Sequence, residues 1–122
     1  AGVLGEPNGP AQHSLEVQEI YFDIVARSAQ TDAVDRPVTF QWRFADAEDW
    51  HIRIDNDSTA AVRGLAQKPD VTLETTWTNW IEISMRGRDI RKAVLRRQLR
   101  PRGSLRQLRR MQHIWEPRKV DY

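Results

Sequence analysis

The chain is 122 residues long, has a net charge of +2 and contains no cysteine, while 39% of its residues are hydrophobic. These values are typical of one soluble domain with a real core, and they exclude disulfide bonds and thiolate metal sites. No apolar run approaches the roughly 20 residues of a membrane-spanning helix and no signal peptide opens the chain, so we expect a cytoplasmic protein.

The first predicted element is an amphipathic helix. Residues 1–13 are rich in glycine and proline and show no hydrophobic period, so we expect a flexible tail or linker there, the domain itself at 14–117 and a second tail at 118–122. From Ser14 to about Gln30, apolar residues recur at helical spacing. The predicted buried face comprises Val17, Tyr21, Ile24, Val25 and Ser28, widened by Ile20 and Phe22.

Four strands are predicted next. Apolar and polar residues alternate over 38–44 and again over 50–54, which is typical of half-buried strands, and the short connection between them indicates an antiparallel hairpin. A weaker third strand is expected around 59–64 and a fourth at 71–75. We expect the four strands to form a meander whose apolar face is covered by the helices.

Two helices are predicted after the fourth strand. Thr75 or Thr76 is a suitable N-cap for the first of them, which should end at Gly87. Its inner side is predicted to carry Trp77, Trp80, Ile81, Ser84 and Met85. Asp89 is expected to cap a second, short helix that carries Ile90, Ala93 and Val94.

The last predicted elements are a segment at the edge of the sheet and a basic helix. Pro101 would confine any strand at 98–102 to a sheet edge, because proline has no backbone N–H to donate. Gly103-Ser104 opens the last helix, whose predicted inner face comprises Leu105, Leu108, Met111 and Trp115. The predicted fold class is therefore α+β, a mostly antiparallel sheet of about five strands with helices packed on one face.

Charge is distributed unevenly along the chain. Residues 1–85 contain six basic and fourteen acidic side chains, whereas residues 86–110 contain eleven basic side chains and one acidic residue, Asp89. Such a basic segment attracts phosphates, acidic lipid headgroups or an acidic protein face. The alternative is that the acidic first part of the same domain balances it.

The order of elements resembles that of the sterol-carrier-protein domain family. The matching segments are PDVTLETTWTNWIEISMRG at 69–87, DIRKAV at 89–94, RQLRPRGS at 97–104 and LRQLRRM at 105–111, and the resemblance covers roughly residues 15–115. The sequence departs from the family where Arg97 replaces a usual glycine and where Pro101 interrupts the last strand. The resemblance implies a non-catalytic domain with a hydrophobic cavity for fatty acyl, acyl-CoA or sterol-like ligands, often at the C-terminus of a larger protein.

The candidate site follows from this resemblance and from the position of the aromatic and basic residues. The predicted ligand-binding residues are Trp42, Trp77, Trp80, Ile81, Met85, Val94, Leu108 and Met111. An anionic headgroup is expected at Arg96, Arg97 or Arg100. The alternative is a filled-core interaction or sensor domain attached to an enzyme or a winged-helix regulator, because the bulky tryptophan and phenylalanine side chains can also fill a cavity.

Other classes of function are not favoured. We expect no catalysis and no cofactor, since the sequence contains no nucleophile-elbow or phosphate-loop motif. The acidic residues Asp46, Glu48 and Asp49 lie in a predicted exposed turn. Nucleic-acid binding is not favoured either, because no helix-turn-helix or zinc signature is present. The last helix could also contact an anionic membrane, and the sequence leaves the oligomeric state open.

Overall fold

The computed structural model describes residues 15–85 and 90–115. The helices are α1 (Leu15–Ser28), α2 (Trp77–Met85), α3 (Ile90–Leu95) and α4 (Leu105–Ile114), with a short 3-10 helix at Thr31–Ala33. The strands are β1 (Val38–Phe44), β2 (Trp50–Ile54), β3 (Thr59–Arg63), β4 (Val71–Thr75) and β5 (Arg100–Gly103). The predicted tails, Gly87 and the Asp89 cap lie outside the described residues. No helix among those described is long and apolar enough to cross a membrane.

The five strands form one mixed, mostly antiparallel sheet in the order β3-β2-β1-β4-β5. The β1–β2 hairpin is antiparallel, with Phe40 opposite Ile52 and Trp42 opposite Trp50, as predicted. Rings from α1, α2 and the end of α4 contact Trp42 on the same side of the sheet, so the helices cover one face. The predicted α+β class is confirmed.

The predicted four-strand meander is wrong at its last strand. β4 pairs with β1 and runs parallel to it, placing Leu73 beside Trp42, instead of following β3. The alternation of apolar residues defined the buried face of β4 but contained no information about its neighbour. The connection from β3 to β4 crosses the outer face of the sheet, where the buried Gln41 side chain accepts the Ala66 N–H at 2.7 Å.

The buried face of α1 also differs from the prediction. Gln18, Phe22 and Ala26 are buried, whereas Val17, Ile20 and Ile24 are 45%, 62% and 60% exposed. Two contacts orient the helix: Phe22 stacks on Trp50 with ring centroids 5.2 Å apart, and the Gln18 amide donates to the Glu48 carbonyl at 3.0 Å. A buried glutamine is polar, so hydrophobic periodicity could not assign it to the core.

Two other helix faces need smaller corrections. Met85 ends α2 and is 77% exposed, while Ile83 is buried in its place. On α4, Leu105 is 68% exposed, and Gln107 and Ile114 are buried beside Met111. Each helix therefore has one exposed end and one buried end, since Trp77 at the start of α2 and Ile114 at the end of α4 are both buried.

Several local predictions are confirmed. Thr76 caps α2, since its hydroxyl accepts the Asn79 N–H at 3.0 Å. Ser104 caps α4 by accepting the Gln107 N–H at 3.2 Å. Pro101 lies on β5, which pairs only with β4 among the described strands and therefore forms a sheet edge.

Candidate ligand-binding site

An aromatic cluster lies between the sheet and the helices. Trp42 is completely buried and contacts three rings edge-on, with centroid distances of 5.3 Å to Phe22, 5.5 Å to Trp80 and 6.1 Å to Trp115. Within the described structure, the buried Trp42 Nε1 has no hydrogen-bond acceptor. The cluster is therefore tightly packed but includes an unsatisfied donor at its centre.

Tyr21 closes the cluster on the α1 side. The Trp80 Nε1–H donates to the Tyr21 hydroxyl at 2.7 Å, and the Tyr21 ring meets Trp77 edge-on at 5.2 Å. Burial raises the pKa of the Tyr21 phenol, while its hydrogen bonds to Ser84 and Trp80 lower the pKa by less. Sequence reasoning placed Tyr21 in the core but did not identify it as the partner of Trp80.

The predicted ligand-binding residues separate into three groups by exposure. The buried group comprises Trp42, Trp77, Trp80 and Met111, and the half-buried group comprises Ile81, Val94 and Leu108. Met85 alone points into solvent. Protein atoms already cover the buried group, so a ligand could contact these four side chains only after neighbouring rings had moved.

A cleft of about 650 Å³ brings together three of the predicted residues, Val94, Arg97 and Arg100. It is named the α3–β5 cleft, and its lining is Val94, Arg97, Leu99, Arg100 and Pro101. Leu99 and Pro101 had not been predicted as ligand-binding residues, although both are apolar residues placed among arginines. Arg96 is exposed and is not part of the lining.

The turn after α3 determines where the Arg97 side chain is held. The Arg97 N–H donates to the Val94 carbonyl at 3.0 Å and the Gln98 N–H to the Ala93 carbonyl at 2.9 Å. This pair of hydrogen bonds is a Schellman motif, with Arg97 at the C′ position that glycine usually occupies. Arg97 accordingly has φ +60°, in the left-handed region. The arginine thus adopts a backbone conformation that costs about 1 kcal/mol relative to glycine.

The charge at this cleft is not neutralised locally. Residues 90–100 include Arg91, Lys92, Arg96, Arg97 and Arg100 and no carboxylate. The neighbouring Glu74 on β4 pairs with Arg102 at 3.5 Å. Among the described residues, neither Arg97 nor Arg100 forms an ion pair. The cleft can therefore offer two guanidinium groups beside an apolar wall.

The carboxylates that sequence reasoning set aside have structural roles. Asp46 accepts the N–H of Trp77, the first residue of α2, at 2.6 Å. Asp49 accepts the N–H of Phe44, the last residue of β1, at 3.0 Å, so each carboxylate stabilises the end of one element. Over residues 15–85 and 90–115, no three His, Asp or Glu side chains are grouped closely enough to hold a metal ion.

Comparisons with known proteins give structural matches only. No family profile matches the chain, and no curated protein matches it. The stereoselective inverting sec-alkylsulfatase Pisa1 from Pseudomonas sp. matches with a TM-score of 0.72 and 20% identity, over 97% of this chain but 20% of the enzyme. A double mutant of that enzyme matches with a TM-score of 0.72 and 24% identity, over 83% of this chain and 16% of the mutant chain. The present chain thus spans about a fifth of these enzymes.

Smaller proteins match over nearly their whole length. The ubiquinone synthesis protein UbiJ-SCP2 has a TM-score of 0.68 and 6% identity, with 83% of this chain and 94% of that chain covered. Palmitated SCP2L2 from Aedes aegypti has a TM-score of 0.56 and 14% identity, with 84% and 97% covered. These identities are too low to transfer function, but the architecture agrees. The chain therefore has the sterol-carrier-protein fold, as the resemblance of its sequence implied.

Proposed function

We propose that this chain is a non-catalytic binding module for amphipathic anions, in the class of fatty acids, acyl-CoA and alkyl sulfates. The observation that carries the proposal is the α3–β5 cleft, where Arg97 and Arg100 border the apolar side chains of Val94, Leu99 and Pro101. Its volume of about 650 Å³ is within the usual range for small-molecule sites. The two unpaired guanidinium groups favour an anionic head over an uncharged sterol.

The matched structures are compatible with such ligands. The Aedes aegypti protein is described as palmitated, and the Pseudomonas enzyme is named for acting on secondary alkyl sulfates. Both names denote an apolar chain with an anionic group. A fatty acid and a secondary alkyl sulfate are therefore the first two ligands to test.

The remaining predicted residues belong to a second stage of the proposal. A ligand whose acyl or alkyl chain is longer than the α3–β5 cleft would have to enter between the sheet and the helices and move the rings around Trp42. It would then contact Trp77, Trp80, Ile81, Leu108 and Met111. The unsatisfied Trp42 Nε1 would gain a partner if a polar atom of the ligand reached it. Met85 and Arg96 would contact the ligand only at the outside of the cleft.

A second candidate function is an accessory domain with a filled core inside a larger enzyme. The closed packing of Trp42 against three rings favours it, together with the match to a fifth of an alkylsulfatase. In that case the chain would bind no amphiphile on its own. The same experiment therefore distinguishes the two candidates.

The proposal is tested with the variant Arg97→Gly. Glycine relieves the left-handed backbone at this position, so the free energy of unfolding should rise by about 1 kcal/mol. Removing the guanidinium should at the same time weaken binding of dodecanoate and of a secondary alkyl sulfate about tenfold. Calorimetric titration measures the affinity, and urea unfolding measures the stability.

Opposite changes in stability and affinity separate a lost ligand contact from a lost fold. Arg63→Gln on β3, at the other edge of the sheet, is the control and should change neither quantity. Dodecanol, which has no charge, should bind less tightly than dodecanoate. If neither anion binds to the unaltered protein, or if Arg97→Gly with Arg100→Gln binds both normally, the proposed function is wrong.

A further inference from the structure

A second cleft, of about 610 Å³, lies between the 3-10 helix and α4. It is named the α4 cleft, and its lining is Ala33, Leu105, Arg106, Arg109, Arg110 and His113. None of these residues belongs to the α3–β5 cleft.

The positions of these residues on α4 follow from helical spacing. Leu105, Arg109 and His113 are four residues apart, as are Arg106 and Arg110, so all five lie on one helix face. The arrangement is unfavourable for the helix alone. Arg106 and Arg110 repel each other one turn apart, and the first turn has no acidic residue to interact with the helix dipole.

One carboxylate offsets part of this charge. Asp35, just after the 3-10 helix, lies 2.6 Å from Arg110 and 3.7 Å from Arg106. The hydrogen bond from Arg110 lowers the pKa of Asp35 below its ordinary value, so the carboxylate is ionised at neutral pH. Among the described residues, Arg109 forms no ion pair. Asp35 thus pairs with two of the three arginines that line the cleft, and its side chain is itself 59% exposed.

We infer that the α4 cleft binds a tetrahedral oxyanion, the sulfate or phosphate group of an ester, and that this anion displaces Asp35 from its arginines. Three arginines that line one cleft suit an anion with three or more acceptor oxygens. Leu105, which is 68% exposed, and Ala33 provide an apolar surface for the carbon side of the ester. Asp35 keeps Arg106 and Arg110 in place while the cleft is empty of ligand.

Two sources could supply such a group, and the experiment separates them. Inorganic phosphate and sulfate are titrated at constant ionic strength while backbone amide NMR signals are followed. In parallel, flotation is measured with vesicles of phosphatidylcholine alone and with added phosphatidic acid. Saturable shifts confined to residues 33–35 and 105–113 support a free oxyanion. Binding only to phosphatidic acid vesicles supports a lipid headgroup.

Three variants test the assignment of residues. Arg109→Gln should weaken binding of the effective probe about tenfold, whereas Asp35→Asn should strengthen it about threefold by removing the competing carboxylate. Arg43→Gln, an exposed arginine on β1, should leave it unchanged. The inference is overturned if neither probe binds, if Arg43→Gln weakens binding as much as Arg109→Gln does, or if Asp35→Asn weakens it.

Discussion

At the junction of β5 and α4, Gly103 lies directly against the backbone of β4. It has φ +103°, and a Cβ atom added there would collide with the Asp70 carbonyl oxygen. That oxygen also accepts the Ser104 N–H at 2.9 Å, so it cannot move away without losing the bond. The glycine is therefore required both by conformation and by space.

Gly103→Ala should lower the free energy of unfolding by about 2 kcal/mol or more, through backbone strain and overpacking. Gly64 provides the matched control, because it has φ +107° but open space around its Cα. Gly64→Ala should cost about 1 kcal/mol, from conformation alone. Urea unfolding of both variants compares them, and equal losses would show that the contact with Asp70 is unimportant.

Tyr21 links stability to alkaline pH. Tyr21→Phe removes the acceptor of the Trp80 Nε1–H and should cost about 1–2 kcal/mol at neutral pH. Because burial raises the pKa of Tyr21 above its ordinary 10.0, the unfolded chain loses this proton first as the pH rises. The contribution of Tyr21 is thus complete below pH 10 and declines above it.

The difference in stability between the unaltered protein and Tyr21→Phe should therefore narrow above pH 10. Urea unfolding at about pH 7 and about pH 10.5 gives the two differences. A difference that widens with pH would mean that the folded state stabilises the ionised phenol, contrary to its burial.

At the scale of the element, α1 shows how far periodicity can be trusted. The prediction located the helix within two residues of its ends but assigned Val17, Ile20 and Ile24 to the core. The true inner face contains Gln18, whose Nε2 donates to a backbone carbonyl 30 residues away, while its Oε1 has no partner among the described residues. Apolar periodicity cannot anticipate a buried polar side chain of this kind, because its partner comes from another element.

Phe22→Ala should lower the free energy of unfolding by about 3–5 kcal/mol, since the ring is completely buried against Trp42 and Trp50. Ile24→Ala should change it by no more than about 0.5 kcal/mol, because Ile24 is 60% exposed. Thermal and urea unfolding measure both. A large loss of unfolding free energy in Ile24→Ala would show that Ile24 belongs to the buried face of α1 after all.

The strands were more predictable than their order. The apolar residues of β1, β2 and β4 alternate along the covered face of the sheet, so alternation defined these strands directly. Alternation records faces and not neighbours, which is why the β1–β4 pair was missed. The basic segment at 86–110 predicted Arg97 and Arg100, which line the α3–β5 cleft. The sequence could not distinguish a tryptophan that fills a core from one that lines a cavity.

Across the whole molecule, the charge asymmetry of the sequence is only partly balanced. Asp35 and Glu74 from the acidic part pair with Arg106, Arg110 and Arg102 of the basic part. Among the described residues, Arg97, Arg100 and Arg109 form no ion pair. These three side chains line the two clefts. Intramolecular balance thus accounts for some of the basic residues, whereas Arg97, Arg100 and Arg109 lie in the two clefts for which we propose anionic ligands.

The parallel pairing of β1 with β4 has a consequence for the nascent chain. During synthesis, β1, β2 and β3 emerge together and can pair at once, because each is next to its neighbour in sequence. The other edge of β1, beside Phe40 and Trp42, stays open until the ribosome has released Thr75. An open apolar edge is a template for other chains. A stalled or truncated product that ends between β3 and β4 would therefore leave the most aromatic strand of the protein available for aggregation.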